Sequence, residues 1–251
     1  MPEETRDPMR AAQANMRPPA LRRFYKSAEV VATEGGGYAL KLDGRGARTP
    51  GKRPLVAPTR AVAALIAAEW AAQGETIEPM SMPATRLANS AIDGVAAALS
   101  ETKAAIAKYA EADLVCYRAA TPEALVALQA AAYDPIVVWA RDTLGAPFVT
   151  TVGLAHIAQP EAALAAARAA VVLYADPFAV AALHVMTSLT GSLMIALMTA
   201  QGALSSDAAW RAAHVDEDFQ MARWGEDEEA KSRRAARWRD FEAAAKVMAG
   251  L

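Results

Sequence analysis

The sequence predicts an α+β protein, with a small β-rich N-terminal module at residues 21–83 followed by a larger all-helical C-terminal domain at 84–251. Three observations carry that expectation. Strict alternation and glycine or proline punctuation are confined to the stretch from Phe24 to Pro58. Beyond Thr59, apolar residues recur at three- and four-residue spacing, and helix start signals follow one another to the C-terminus. Apolar residues make up 54% of the chain but aromatics only 6%, and much of the apolar share is alanine. That composition fits helices packed closely through small side chains. A length of 251 residues allows one or two domains with a substantial core.

In the N-terminal module, Val30-Val31 leads to Gly35-Gly36-Gly37, and Tyr38 to Leu42 alternates. Asp43-Gly44-Arg45-Gly46 and Pro50-Gly51 read as turns, so two or three short hairpins are expected. Hairpins of this size do not stand alone and must pack on something. Pro18-Pro19 closes a lead, residues 1–20, expected to be disordered. The lead lacks the apolar run of a secretory signal, and Glu3, Glu4 and Asp7 argue against an organellar transit peptide.

Thr59 is expected to cap a helix whose inner face is Val62, Leu65, Ile66 and Trp70 and which ends at Gly74. Residues 75–83, with Pro79 and Pro83, are expected to be extended, and the module boundary falls within 75–95. Further helices are expected from Thr85 or a neighbour to Asp93 and from Ser100 to about Asp113. Thr121-Pro122-Glu123 starts another, and Asp134-Pro135 starts the next, stopped by Gly145. Pro160 to Tyr174 follows. Asp176-Pro177 begins one long apolar helix, and Ser206 to about Arg223 is a single helix. The last runs from Glu226 to Met248, with acids in its first turn and i, i+4 pairs Asp227–Lys231 and Glu229–Arg233. Its inner stripe is Ala235, Trp238, Phe241, Ala245 and Met248. Arg86 and Asp93 lie beyond pairing distance of each other, so each needs a partner elsewhere and could lock the two parts together.

Several function classes find little support. No charged residue occurs between Pro177 and Ser206, yet His184, Thr187, Ser188, Gly191 and Ser192 form a polar and small stripe opposite Met186, Leu189, Leu193 and Leu197. A buried helix of a bundle fits that pattern better than a membrane span. Cys116 is the single cysteine, without a histidine near it in sequence, and reads as a buried structural residue. No glycine run has the context of a phosphate loop. His214 and Asp218 have i, i+4 metal-ligand spacing, but no second histidine or cysteine stands nearby, so no metal and no cofactor are expected. The net charge of −2 excludes a general polyanion binder, although residues 21–60 carry nine Lys or Arg against three acids. With Tyr25 and Tyr38 among them, an RNA-binding β-module is the alternative reading; a charged solvent face is the plainer one.

The segment His214 to Ala230 is the most informative. Asp216, Glu217, Asp218, Glu226, Asp227, Glu228 and Glu229 share it with one base, Arg223, and with Phe219 and Trp224. A merely solvated acidic run has no use for two large aromatics. An apolar anchor rimmed by charge suits a protein interface. Glu217, Asp218, Phe219, Trp224, Glu226 and Asp227 are therefore the expected partner-binding residues, with core packing beneath the last helix as the competing reading for Trp224.

Six blocks, in order along the chain, carry a family resemblance: Arg22 to Lys26; Leu42 to Arg45 with Arg48-Thr49-Pro50; Glu69-Trp70 with Gln73; Met82 to Asp93; Asp113 to Arg118; and His214 to Gln220 with Trp224 to Asp227. Together they resemble the assembly chaperones for the alpha subunit of the ATP synthase catalytic sector. Ala84 and Tyr133 depart from the expected larger apolar residue and tryptophan, which affects packing more than role. The resemblance implies a non-enzymatic protein that binds the unassembled alpha subunit and shields its beta-facing surface. Eukaryotic members of the family work in mitochondria; the absent transit peptide and the alanine-rich composition suggest a bacterial, cytoplasmic member here, expected to be monomeric when free, to bind no nucleic acid and not to insert into membranes.

Overall fold

Asp43 and Gly44 both adopt positive φ, 47° and 79°. A two-residue hairpin turn needs that geometry to match the twist of its strands. It joins β2 (Tyr38–Leu42) to β3 (Arg45–Gly46), with Leu42 opposite Arg45. The Asp43 carboxylate accepts the backbone N–H of Ser27 at 2.8 Å and of Lys26 at 3.0 Å, fixing the turn to the start of β1 (Ala28–Ala32). β1 runs antiparallel along β2, and β4 (Val56–Ala57) pairs with Tyr38 and Ala39 on its other edge. These details belong to a computed structural model that describes residues 21–153, 155–225 and 227–251. The expected disordered lead, 1–20, and Glu226 lie outside the described residues.

α1 (Arg60–Ala71) packs across β1, β2 and β4 and buries Val62, Ala63, Ile66 and Ala67. Thr59 caps it as expected, accepting from the Val62 N–H at 3.2 Å. The β-rich label is too strong for this module. Its two longer strands have five residues each, whereas α1 has 12. Such short ribbons depend on a covering helix.

Residues 75–83 are not uniformly extended, because Pro79–Ser81 forms a 3-10 turn. Gln73 organises it: its amide nitrogen donates to the Glu69 carbonyl at 3.0 Å and its amide oxygen accepts the Glu78 N–H at 2.7 Å. α2 (Pro83–Ser90) then starts before Thr85, which lies inside the helix and is buried. Its first N–H groups have no local cap. The Glu69 carboxylate, from α1, accepts the Ala84 and Thr85 N–H groups at 2.7 Å each and the Thr85 hydroxyl at 2.7 Å. Burial pushes the Glu69 pKa up, and these hydrogen bonds pull against the rise. α2 runs into a single π turn, Ala91–Val95. There Asp93 accepts the Thr49 hydroxyl at 2.7 Å and the Gly51 N–H at 2.8 Å. Asp93 thus locks the Pro50-Gly51 turn onto the helical part. Arg86 finds its partner in the last helix instead, as an ion pair with Asp240.

α3 (Leu99–Ala107) gives way to 3-10 turns at Lys108–Ala112 and Leu114–Cys116. The C-terminal part is not all-helical: β5 (Tyr117–Arg118) pairs in parallel with β6 (Thr151–Val152). Tyr117 leaves the 3-10 turn in extended geometry, and the segment after Gly145 lies alongside it. α4 (Glu123–Leu144) is continuous, with Pro135 in its interior rather than at a start. Tyr133 and Ile136 on either side are buried, and Arg118 pairs with Asp134 at 2.8 Å while lying 5.1 Å over the Tyr133 ring. Packing on both sides of the proline overrides its local helix-breaking tendency. Gly145, at φ 65°, is the expected stop.

α5 spans Glu161–Val172, and α6 (Pro177–Thr190) is capped by Asp176. The expected single apolar helix is two. Gly191, at φ 67°, ends α6, and the Ser192 side chain caps α7 (Leu193–Ala200). The expected polar stripe also divides, since His184 and Ser188 are exposed while Thr187 and Ser192 are buried. α8 (Ser206–Ala213) and α9 (Val215–Trp224) likewise replace one expected helix. α10 (Glu228–Ala249) begins at Asp227, whose carboxylate accepts the Ala230 N–H at 3.3 Å. That capping role replaces the expected Asp227–Lys231 pair. Lys231 approaches Glu228 instead, at 3.9 Å, while Glu229–Arg233 forms as expected. Phe241, Ala244 and Val247 give α10 its fully buried positions, and Ala235, expected inside, is exposed. Among the described residues no helix is long and apolar enough to cross a membrane.

One apolar cluster runs from Leu40 and Leu55 of the sheet region through α6 to Phe241 and Val247. Cys116 is fully buried, and burial pushes its thiol up to about 12, in keeping with a structural role. Asp113 is also fully buried; its carboxylate accepts the Met194 N–H at 3.1 Å and the Val115 N–H at 3.3 Å.

Burial pushes the Asp113 pKa up from 3.8 to about 6. A carboxyl raised on folding stabilises fully below its unfolded value, and that contribution is lost as pH rises through about 6. As pH rises from about 4 to 7, the urea midpoint of the wild type should fall relative to that of Asp113→Asn; parallel profiles would refute the assignment. At Gly51 an added Cβ would sit 2.6 Å from an Asp93 carboxylate oxygen, whereas at Gly35 it would meet nothing within 4 Å. Gly51→Ala should cost about 1–3 kcal/mol, and Gly35→Ala should stay within about 0.5 kcal/mol. Equal melting temperatures for the two variants would show that the Asp93 clamp is not needed.

Candidate functional site

The break between α8 and α9 is made by His214. Its ring lies against Trp210 with centroids 3.9 Å apart and planes tilted by 35°, and its Nδ1–H donates to the Trp210 carbonyl at 2.8 Å. Burial holds its pKa below the ordinary 6.5. Trp210 in turn packs on Trp238 and Phe241 of α10. His214 is therefore a buried helix terminator. It does not form a ligand pair with Asp218, which is ion-paired with Arg234. Among the described residues no group of His, Cys, Asp and Glu could hold a metal.

α9 itself has no buried residue. Val215, Asp218, Phe219 and Ala222, spaced 0, 3, 4, 7, line a groove of about 560 Å³ shared with α4, α7 and α8. Its other walls are almost wholly apolar, including Leu128, Ala131, Pro135, Met198 and Leu204. Glu217, Gln220, Met221 and Trp224, at the same spacing, line a second groove of about 510 Å³ against α10. The helix is a ridge between an apolar and a charged groove. It is moored to α4 by Gln129, whose amide nitrogen donates to Asp216 at 2.6 Å.

The structure splits the expected residues between these grooves. Glu217, Trp224 and Asp227 share the charged one, while Asp218 and Phe219 face the apolar one. Trp224 is 86% exposed, so it is not packed under the last helix. Phe219 is half-buried, with the Arg223 guanidinium 4.6 Å over its ring. Asp227 is exposed but its carboxylate is engaged as a helix cap. Glu226 lies outside the described residues.

The surface is also less acidic than the sequence suggests. Arg233, Arg234 and Arg237 line the charged groove, and Arg234 and Arg233 neutralise Asp218 and Glu229. The signal was present: Ala230, Arg233, Arg234 and Arg237 fall at 0, 3, 4, 7 on α10. In the N-terminal module, Tyr25 is buried and donates its hydroxyl to the Trp70 carbonyl at 2.7 Å, and Tyr38 is half-buried. The two tyrosines on which the RNA-binding alternative rested are therefore not open stacking faces, although Phe24 beside them is exposed.

The family model described as ATP12 chaperone protein matches residues 22–141, from the sheet into α4. Solved structures extend the likeness over α9 and α10. The Atu1473 protein of Agrobacterium tumefaciens, described provisionally as a chaperone, is 46% identical; the match covers 98% of this chain and 92% of that one, with a TM-score of 0.89. Atp12 from Paracoccus denitrificans is 41% identical over 91% of this chain and 97% of its own, with a TM-score of 0.83. An aspartate-to-lysine variant of the P. denitrificans protein matches equally well. Identity at this level over nearly the whole length, on the same fold, leaves one conclusion: the chain belongs to the ATP12 chaperone family.

Proposed function

We propose that this protein is an ATP synthase assembly chaperone that binds the unassembled alpha subunit and shields its beta-facing surface until the hexamer forms. It works by holding rather than by catalytic turnover, as a monomer in the bacterial cytoplasm, without a cofactor. The contact surface centres on α9 and its junction with α10, through Glu217, Asp218, Phe219, Trp224, Glu226 and Asp227.

The observation that carries this reading is the incomplete burial of α9. Helices of this length draw most of their stability from burying an apolar face. α9 buries no residue, yet it presents Val215, Phe219 and Trp224. An exposed tryptophan beside carboxylates and arginines is the composition of an interface centre with a polar rim. Charges of both signs around it would discriminate against wrong partners more than they would add affinity. Moderate affinity suits a chaperone that must release its client.

The test is aggregation of isolated alpha subunit, followed by light scattering with and without the chaperone. Trp224→Ala should shift stability by no more than about 0.5 kcal/mol, because the side chain touches little. It should weaken client binding by on the order of 2 kcal/mol. Glu217→Lys is the cleaner charge test, since its carboxylate comes only within 4.0 Å of His214, whereas Asp218→Lys also breaks the pair with Arg234. Full protection by both Trp224→Ala and Glu217→Lys at wild-type ratios would remove α9 as the client surface. Protection that saturates far below stoichiometric chaperone would argue for turnover and against holding.

A further inference from the structure

We propose that the apolar groove between α4 and α9 receives an amphipathic α-helix of the client, with a carboxylate on that helix facing Arg211. This deepens the reading of α9 as client surface and rests on it. Three observations on the groove select that occupant.

The first is its lining. Arg211 and Asp218 are the only charged residues among those forming a cavity of about 560 Å³, and Leu128 on its α4 wall is 50% exposed. A groove this apolar on a helix with no buried residue is completed by apolar side chains from outside.

The second is the backbone around it. Apart from Leu204, the residues lining the groove lie on α4, α7, α8 and α9, and none of them belongs to a strand, so the groove offers an incoming chain no row of free N–H and C=O groups to pair with. An extended segment laid here would find no strand edge, and its own backbone groups would be buried without partners. A helix arrives with those bonds made and offers side chains at i, i+3, i+4 and i+7.

The third is charge. Asp218 is neutralised by Arg234. Arg211 makes no ion pair among the described residues and stands at the groove wall. The complementary charge on the incoming helix is therefore negative.

Ala131, exposed on the α4 wall, and Arg211 supply the variants. Ala131→Trp should fill the groove and raise the chaperone concentration needed to hold isolated alpha subunit by roughly tenfold. Arg211→Glu should raise it several-fold, by an amount that shrinks with added salt. Both should melt within a few degrees of wild type. A photo-crosslinking residue in place of Leu128, in otherwise unchanged protein, should capture one segment of the alpha subunit whose apolar residues recur every three or four positions. Capture of a strand-forming segment, or of a second copy of the chaperone, would overturn the proposal. So would full holding by Ala131→Trp while Trp224→Ala fails, an outcome that leaves α9 as client surface. Wild-type protein that does not hold alpha at all would sink the client reading itself, and this inference with it.

Discussion

Val180, Ala182, Leu183 and Met186 of α6 are wholly buried, and α2, α3, α7, α8, α10 and the π turn all pack against that one uncharged helix. Nine of its 14 residues are buried. Three alanines, Ala179, Ala181 and Ala182, let neighbouring backbones approach closely, so the dispersion contacts of many small groups replace those of a few large ones. α10 depends on it most directly. Phe241, Ala244 and Val247 dock the C-terminal half of α10 in the core, and the N-terminal half projects its arginines along α9. The charged groove is therefore positioned from its far end. The apolar groove is positioned from α4 and α7.

Three carboxylates hold this arrangement together, and each acts across a long stretch of chain. Glu69 caps α2, Asp93 clamps the Pro50-Gly51 turn, and Asp113 serves the start of α7. Each is engaged by N–H and O–H donors rather than by a cation, which satisfies the acid without a second buried charge. Most of the sequence blocks that carry the family resemblance turn out to be these clamps and their partners. They identify the architecture. The short ridge of α9, which buries no residue, contains none of these clamps.

Elements whose cause is local were legible in the sequence. The Asp43-Gly44 turn, the Thr59 and Asp176 caps and the Gly145 stop each follow from one residue and its immediate neighbours. The failures share a different cause. Pro135 lies within a helix because Tyr133, Ile136 and Arg118 hold it there, and none of that is visible in a proline's local preference. The long run after Pro177 hides its break at Gly191 and Ser192, since an apolar helix shows little change of pattern where it turns. The split at His214 requires Trp210 beneath the ring. Asp113 and Met194 are 81 residues apart. At the site, the acidic and aromatic character could be read directly. Its division into two grooves could not, because that depends on which helices flank α9. The arginines opposite the acids had the right spacing but belonged to another helix.

The alanines have a consequence for how the sequence can drift. Ala88, Ala91, Ala140, Ala182 and Ala244 have no exposed surface at all. At each, even a modest enlargement meets packed neighbours, and overpacking of this kind costs about 1–3 kcal/mol. A domain has only about 5–15 kcal/mol of net stability, so a few such changes suffice to unfold it. Trp224, by contrast, can be exchanged with little effect on folding. Mutational tolerance thus runs opposite to chemical conspicuousness: the plainest residue type in the chain is the least free to vary. Inherited lesions in such a chaperone would fall into two groups, distinguishable by abundance. Enlarged alanines would deplete the protein in the cell, whereas changes on α9, if the proposed client surface lies there, would leave normal amounts of a protein impaired in binding.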